Sequence, residues 1–167
     1  MKTSIINGSE VSRLSVAIQA DGYILKLEDY GIWTVQRLTL ANQLQLKFTM
    51  SISNGASRLN TLQTDLRFPL VTGQRYQAKW ESIDADKKVT ASALRCDVTD
   101  QGEAHEISPE FSGKYLLVKC DETDEGQPGS SDKFAWMQDL NIFVPVATQI
   151  SGKPESLVTL EDVKVIR

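Results

Sequence analysis

Aromatic residues beside expected turns are the first candidates for chemistry, because a flat ring can stack on the apolar face of a sugar. Trp33 follows Tyr30-Gly31-Ile32, and Trp136 follows a long acidic segment. An exposed aromatic side chain on a β-scaffold suggests a binding surface. We therefore expect Trp33, Trp136 and Tyr30 to bind a ligand by stacking. Packing in the core is the alternative for both tryptophans.

Residues able to do covalent chemistry are scarce. His105 is the single histidine, and it lies in the polar stretch Gly102–Glu106. A Ser-His-Asp triad would depend on it, yet the sequence has no Gly-x-Ser-x-Gly elbow, no Gly-x-Gly-x-x-Gly motif and no P-loop. One histidine and two cysteines also exclude zinc fingers. We therefore expect no enzymatic activity and interpret His105 as a solvated loop residue.

Oxygen ligands suited to calcium are concentrated between residues 121 and 132. Asp121, Glu122, Asp124 and Glu125 precede Gly126, but their spacing does not match the EF-hand loop. The segment is interpreted as a solvated acidic loop between strands, with calcium binding as the alternative.

The two cysteines leave two alternatives open. Cys96 and Cys120 either form a disulfide in an oxidising compartment or pack as separate buried thiols. Asn7-Gly8-Ser9 is a formal N-glycosylation acceptor. The first fifteen residues contain no apolar segment typical of a signal peptide. An intracellular or virion-associated protein is expected, unless a signal was removed.

Alternation of apolar and polar residues dominates the chain and predicts β-strands, because successive strand side chains face opposite sides. In residues 43–53 every even-numbered residue is apolar, and Asn54-Gly55 then indicates a turn. Tyr76, Ala78 and Trp80 share one parity, which indicates core positions.

The pattern as a whole predicts a single all-β domain over residues 1–167, either a β-sandwich or a barrel, and of these we expect an antiparallel two-sheet β-sandwich. Within Val89–Val98 the apolar parity shifts from odd to even, which predicts a β-bulge. Short helical turns are expected near Arg58–Gln63 and Phe134–Leu140.

The charge balance and the hydropathy of the chain indicate which kinds of partner to expect. Eighteen Lys and Arg residues against 22 Asp and Glu give a net charge of -4, which argues against nucleic-acid binding. No apolar run is long enough for a membrane helix, so membrane insertion is not expected. A glycan or a protein is the expected partner.

Two segments carry a resemblance to a known family. Gly73–Trp80, the strand Lys88–Val98 and Asp100-Gln101-Gly102 are similar to the central hairpin of jelly-roll carbohydrate-binding modules, which are galactose-binding-like β-sandwiches. Leu160–Ile166 resembles their closing strand, where an acidic pair precedes a valine. In that family an acidic residue of the last strand helps to hold a structural calcium. The resemblance therefore implies a jelly-roll topology and glycan binding, and it places a calcium ligand at Asp162.

Glycan recognition without catalysis is thus the leading hypothesis. The first alternative is a structural or receptor-engaging component of a virion, tail or surface assembly, which would form oligomers. The second alternative is an intracellular protein-binding module of the inhibitor or immunity type. In that case the acidic region 121–132 would steer a basic partner.

Overall fold

The structure, a computed structural model, describes residues 2–5, 11–18, 23–31, 33–51 and 57–165. The fold is all-β, with 65% of the residues in strands. Within the described ranges the single helical element is a 3-10 turn at Ala104–Glu106. The predicted turn at Asn54-Gly55 and the acceptor Asn7-Gly8-Ser9 lie outside the described residues.

Twelve strands are described. They are β1 (Lys2–Ile5), β2 (Val11–Ile18), β3 (Tyr23–Asp29), β4 (Thr34–Leu40), β5 (Leu44–Ser51), β6 (Ser57–Thr64), β7 (Arg75–Ile83), β8 (Val89–Glu103), β9 (Lys114–Asp124), β10 (Gln127–Met137), β11 (Ile142–Ile150) and β12 (Ser156–Glu161).

All of the described strand pairs are antiparallel, and the all-β architecture is consistent with a β-sandwich. Each strand pairs with its neighbours in the chain, and β1 also pairs with β12, so that hydrogen bonding closes into a cycle. The prediction of an all-β antiparallel fold is confirmed. The jelly-roll topology is not confirmed, because a jelly roll is built from Greek keys that place non-consecutive strands side by side.

The main apolar cluster lies on one face of the strands β7 to β11. Tyr76 and Ala78 are buried in it and Trp80 packs against it, so the core positions predicted for these residues are confirmed. Its other large buried members are Leu44, Leu70, Leu94, Val98, Leu116, Val118, Trp136 and Phe143, together with Cys96 and Cys120.

A second apolar cluster covers the opposite face of β10 and β11. Ala135, Met137 and Val144 are buried there against Ala104 and Phe111. Both faces of this part of the sheet are therefore shielded from solvent, and apolar residues occupy consecutive positions along β10. This is why a helical turn was wrongly predicted at Phe134–Leu140, most of which belongs to β10. The helical turn predicted at Arg58–Gln63 is also wrong, because those residues form most of β6 and pair with β7.

Two further predictions about the strands are wrong. The pairing of β8 with β7 is continuous, so no bulge lies at the parity shift; the register change comes later, between Val98 and Asp100. The acidic segment is not a loop. Residues 121–124 end β9 and residues 127–132 begin β10, joined by the turn Glu125-Gly126, whose φ angles are 48° and 79°. Two residues at positive φ are typical of the tightest hairpin turns.

The turn between β4 and β5 is buried. Ala41 and Asn42 adopt φ angles of 54° and 66°. The Phe143 amide donates to the Ala41 carbonyl at 2.9 Å, and Asn42 Nδ2 donates to the Phe143 carbonyl at 2.8 Å. β12 does not pair with β11 at Phe143. The turn therefore supplies the hydrogen-bond partners of the Phe143 amide and carbonyl, so that this strand edge is covered.

Candidate functional site

Tyr30 and Trp33 flank the turn between β3 and β4. The Tyr30 amide donates to the Trp33 carbonyl at 2.9 Å and closes the turn. Gly31 has a φ of 85°, and its amide donates to Asp29 Oδ1 at 2.9 Å. These bonds fix the backbone on which the two aromatic side chains are carried.

The two rings stack on each other. Their centroids are 4.1 Å apart and their planes differ by 9°. Trp33 remains 38% exposed. Because one face of the indole contacts Tyr30, its exposed surface comes chiefly from the opposite face and the ring edges. The structure therefore brings together two of the three predicted stacking residues.

Trp136 does not belong to this pair. It is 4% exposed and packs in the main cluster, with Phe68 and Phe143 ring centroids each 4.7 Å away. The prediction that Trp136 offers an exposed stacking face is wrong. The prediction relied on its position after the acidic segment, but that segment is strand, and Trp136 lies near the end of β10 on the side that faces the core.

Charged residues lie on the same hairpin as the aromatic pair. Glu28 forms ion pairs with Lys26 at 2.9 Å and with Arg37 at 2.6 Å. Lys26 and Arg37 stand directly opposite each other on β3 and β4, and Glu28 offsets their repulsion. Burial alone raises the pKa of Glu28, but the two cations and their hydrogen bonds lower it below its ordinary value.

A groove of about 390 Å³ crosses strands β6 to β9, and Trp80 is among its lining residues. Gln63, Lys79, Ala93 and Thr123 line it and lie in register across the four strands. The side chain of Ala93 is short, so it forms the floor of the groove between the longer polar side chains of its neighbours. Sequence reasoning missed this groove, although the two small residues Ala91 and Ala93, on the strand face opposite to Leu94 and Cys96, were a signal for it.

An acidic cluster occupies the hairpin of β9 and β10. The Ser130 hydroxyl lies 3.3 Å from Glu122 Oε2 and 2.8 Å from Asp132 Oδ2, and Ser92 donates to Asp124. Burial raises the pKa of Glu122, and the charges of Asp124 and Asp132 raise it further.

The remaining predicted site residues lie apart. Asp162 is exposed just after β12, with a φ of 50°, and His105 is exposed in the 3-10 turn. Among the residues that the structure describes, no group of three or more His, Cys, Asp or Glu side chains is placed to hold a metal ion. The calcium site at Asp162 stays a prediction.

The cysteines pair. Cys96 and Cys120 are directly opposite each other on β8 and β9, and their sulfur atoms form a disulfide. Both are buried, and the Gln43 side-chain amide donates to Cys120 Sγ at 3.1 Å. Of the two alternatives that the sequence left open, the structure contains the disulfide.

Comparison with known proteins gave no match to any family model, curated protein or solved structure. In the part of the chain that is described, no helix is long and apolar enough to cross a membrane. Functional inference therefore depends on the geometry of the chain itself.

Proposed function

We propose that this protein is a non-catalytic recognition module that binds a glycan through Trp33. The observation that carries the proposal is the Tyr30–Trp33 stack at the β3–β4 turn. Trp33 is 38% exposed there and belongs to neither apolar cluster, whereas Trp136 is buried in the main cluster and the partly buried Trp80 packs against it.

The stack is suited to sugar binding because its aromatic surface is held in place before a ligand arrives. A side chain that is already ordered loses little conformational entropy on binding. Tyr30 supports one face of the indole. The turn is fixed by the bond between the Tyr30 amide and the Trp33 carbonyl and by the bond from the Gly31 amide to the Asp29 carboxylate. A pyranose ring would then stack on the other indole face through its apolar C–H groups.

The disulfide is in keeping with this function. Disulfides form and persist in oxidising compartments such as the extracellular space. Glycans of cell surfaces and extracellular matrices are accessible there.

The test is a glycan array followed by titration of the strongest ligand with wild-type protein and with Trp33→Ala. We expect Trp33→Ala to weaken the affinity at least about tenfold, which corresponds to roughly 1.4 kcal/mol. The melting temperature should fall only slightly, because Trp33 lies outside both apolar clusters. Ile83→Ala is the matched control, since Ile83 is 39% exposed on β7. It should leave the affinity unchanged.

Two results would contradict the proposal. One is the absence of binding to any glycan on the array. The other is an equal loss of affinity in Trp33→Ala and Ile83→Ala, which would mean that general surface hydrophobicity and not the stack binds the ligand.

A second candidate function is recognition of a basic protein. It is favoured by the exposed carboxylates Asp121, Asp124 and Glu125 at the β9–β10 hairpin. Association through them would weaken steeply with added salt. Glycan stacking on Trp33 would depend little on salt, so a salt series separates the two functions.

A further inference from the structure

An apolar groove runs along β2. Residues 14–18 of β2 line it together with Phe111, Leu140, Ile142 and the segment 163–165. Its volume is about 580 Å³. This lies within the range of roughly 300–1,000 Å³ that is usual for small-molecule sites.

The groove exists because two neighbouring strands separate. β12 pairs with β11 only at Ala147 and Thr148. Towards Ile142 the strands diverge, and the second apolar cluster is left partly uncovered. Phe111, Leu140 and Val163 belong to that cluster and also line the groove. Apolar surface that remains open in this way often marks a binding site.

The exposed rim is apolar as well. Ile18 on β2 is 60% exposed, and Val165 on the other side is 36% exposed. Contact with an apolar ligand would remove this surface from water, which favours binding.

The lining carries a charge at Lys164, between Val163 and Val165. Among the described residues that line the groove, Lys164 is the single charged one. An ammonium group beside an apolar channel complements a molecule that has a long alkyl chain and an anionic head.

We propose that this groove binds a single-chain amphiphile with a carboxylate head, of the fatty-acid class. The alkyl chain lies along β2 against Phe111 and Ile142, and the carboxylate pairs with Lys164. This site is separate from the glycan site proposed at Trp33, and neither proposal depends on the other.

The test is calorimetric titration of the full chain with dodecanoate, below its micelle concentration, and with the uncharged dodecanol. Dodecanoate should bind saturably with one site per chain. Ala17→Trp places a bulky side chain on the groove lining and should abolish binding. Ala91→Trp is its control, at another exposed alanine on β8, and should bind as the wild type does.

The role of Lys164 is tested separately. An exposed ion pair contributes at most about 1 kcal/mol, which is roughly a fivefold change in affinity. Lys164→Gln should therefore weaken dodecanoate binding by about two- to fivefold and leave dodecanol binding unchanged. Lys153→Gln, at an exposed lysine of the β11–β12 turn, should change neither.

Three results would overturn the proposal. The first is the absence of saturable binding of dodecanoate. The second is normal binding by Ala17→Trp. The third is a dimer, detected by light scattering, that Ala17→Trp dissociates, because the occupant would then be a second copy of the chain. None of these results affects the test of Trp33→Ala with glycans.

Discussion

Two glutamates have pKa values shifted in opposite directions by their neighbours. The cations Lys26 and Arg37 lower the pKa of Glu28 despite its burial. Burial, Asp124 and Asp132 all act to raise the pKa of Glu122. Glu28 therefore stabilises the folded chain as a carboxylate, whereas Glu122 destabilises it when ionised.

The sign of the Glu122 effect predicts a stabilising substitution. A group whose pKa is raised on folding costs stability as the pH rises from its unfolded value through its folded value. Glu122→Gln removes this cost, so its melting temperature should exceed that of the wild type at pH 7. The difference should disappear at about pH 3, below the ordinary glutamate pKa of about 4.3. Thermal melts across this pH range measure it.

Glu81→Gln is the control for net charge, because Glu81 is an exposed glutamate on β7. It should change the melting temperature little at either pH. If Glu122→Gln were equally neutral at pH 7, the repulsion within the acidic cluster would be too weak to matter.

At the scale of the elements, the alternation of apolar and polar residues correctly predicted which side chains face the core where the other face of the strand is exposed to solvent. The core parity of β7 followed directly from Tyr76, Ala78 and Trp80. The pattern failed for β10, where Ala135 and Met137 are as buried as Trp136, because alternation disappears when both faces are covered. The register that places Cys96 opposite Cys120 also could not be read from the sequence, since it depends on the length of the connection between β8 and β9.

The disulfide between β8 and β9 should act as a permanent cross-link. Its cysteines are 24 residues apart, and a loop of that size gives about 3–4 kcal/mol of stabilisation in the chain-entropy model. The double substitution Cys96→Ala and Cys120→Ala should therefore lower the free energy of unfolding by about this amount, as measured by denaturant titration.

Burial of both sulfur atoms adds a kinetic expectation. A water-soluble phosphine should leave the disulfide of the folded wild type intact and reduce it once denaturant is added. Thiol titration before and after denaturation measures this. Rapid reduction without unfolding would show that the bridge is accessible, contrary to the buried position of Cys96 and Cys120.

At the scale of the whole molecule, the sequence predicted the fold class but not the order in which the strands close. Short-range patterns locate strands, whereas the pairing of β1 with β12 depends on residues at opposite ends of the described chain, such as Lys2 and Glu161. The candidate site was predicted in part for a similar reason. Trp33 and Tyr30 are near each other in the chain, whereas the groove between β2, β11 and the segment 163–165 is assembled from distant segments.

Deletion of β1 tests how much its pairing with both β2 and β12 contributes to the stability of the fold. β1 pairs with β12 on one side and β2 on the other, so deleting residues 1–5 leaves two strand edges without partners. We expect the shortened chain to melt at a lower temperature. It should also have a larger mass than the full chain by light scattering at equal concentration, increasing with concentration. Equal masses and melting temperatures would mean that β1 adds little.

The closing role of β1 also implies a hazard during folding. A contact between sequence-distant strands forms late, because the intervening chain must first be ordered. Until then the edges of β2 and β12 can pair with strands of another molecule, which is a common origin of domain swapping and aggregation. A high concentration of newly synthesised chains should therefore reduce the yield of folded protein more than heating the folded protein by a few degrees does. Slower synthesis should increase that yield.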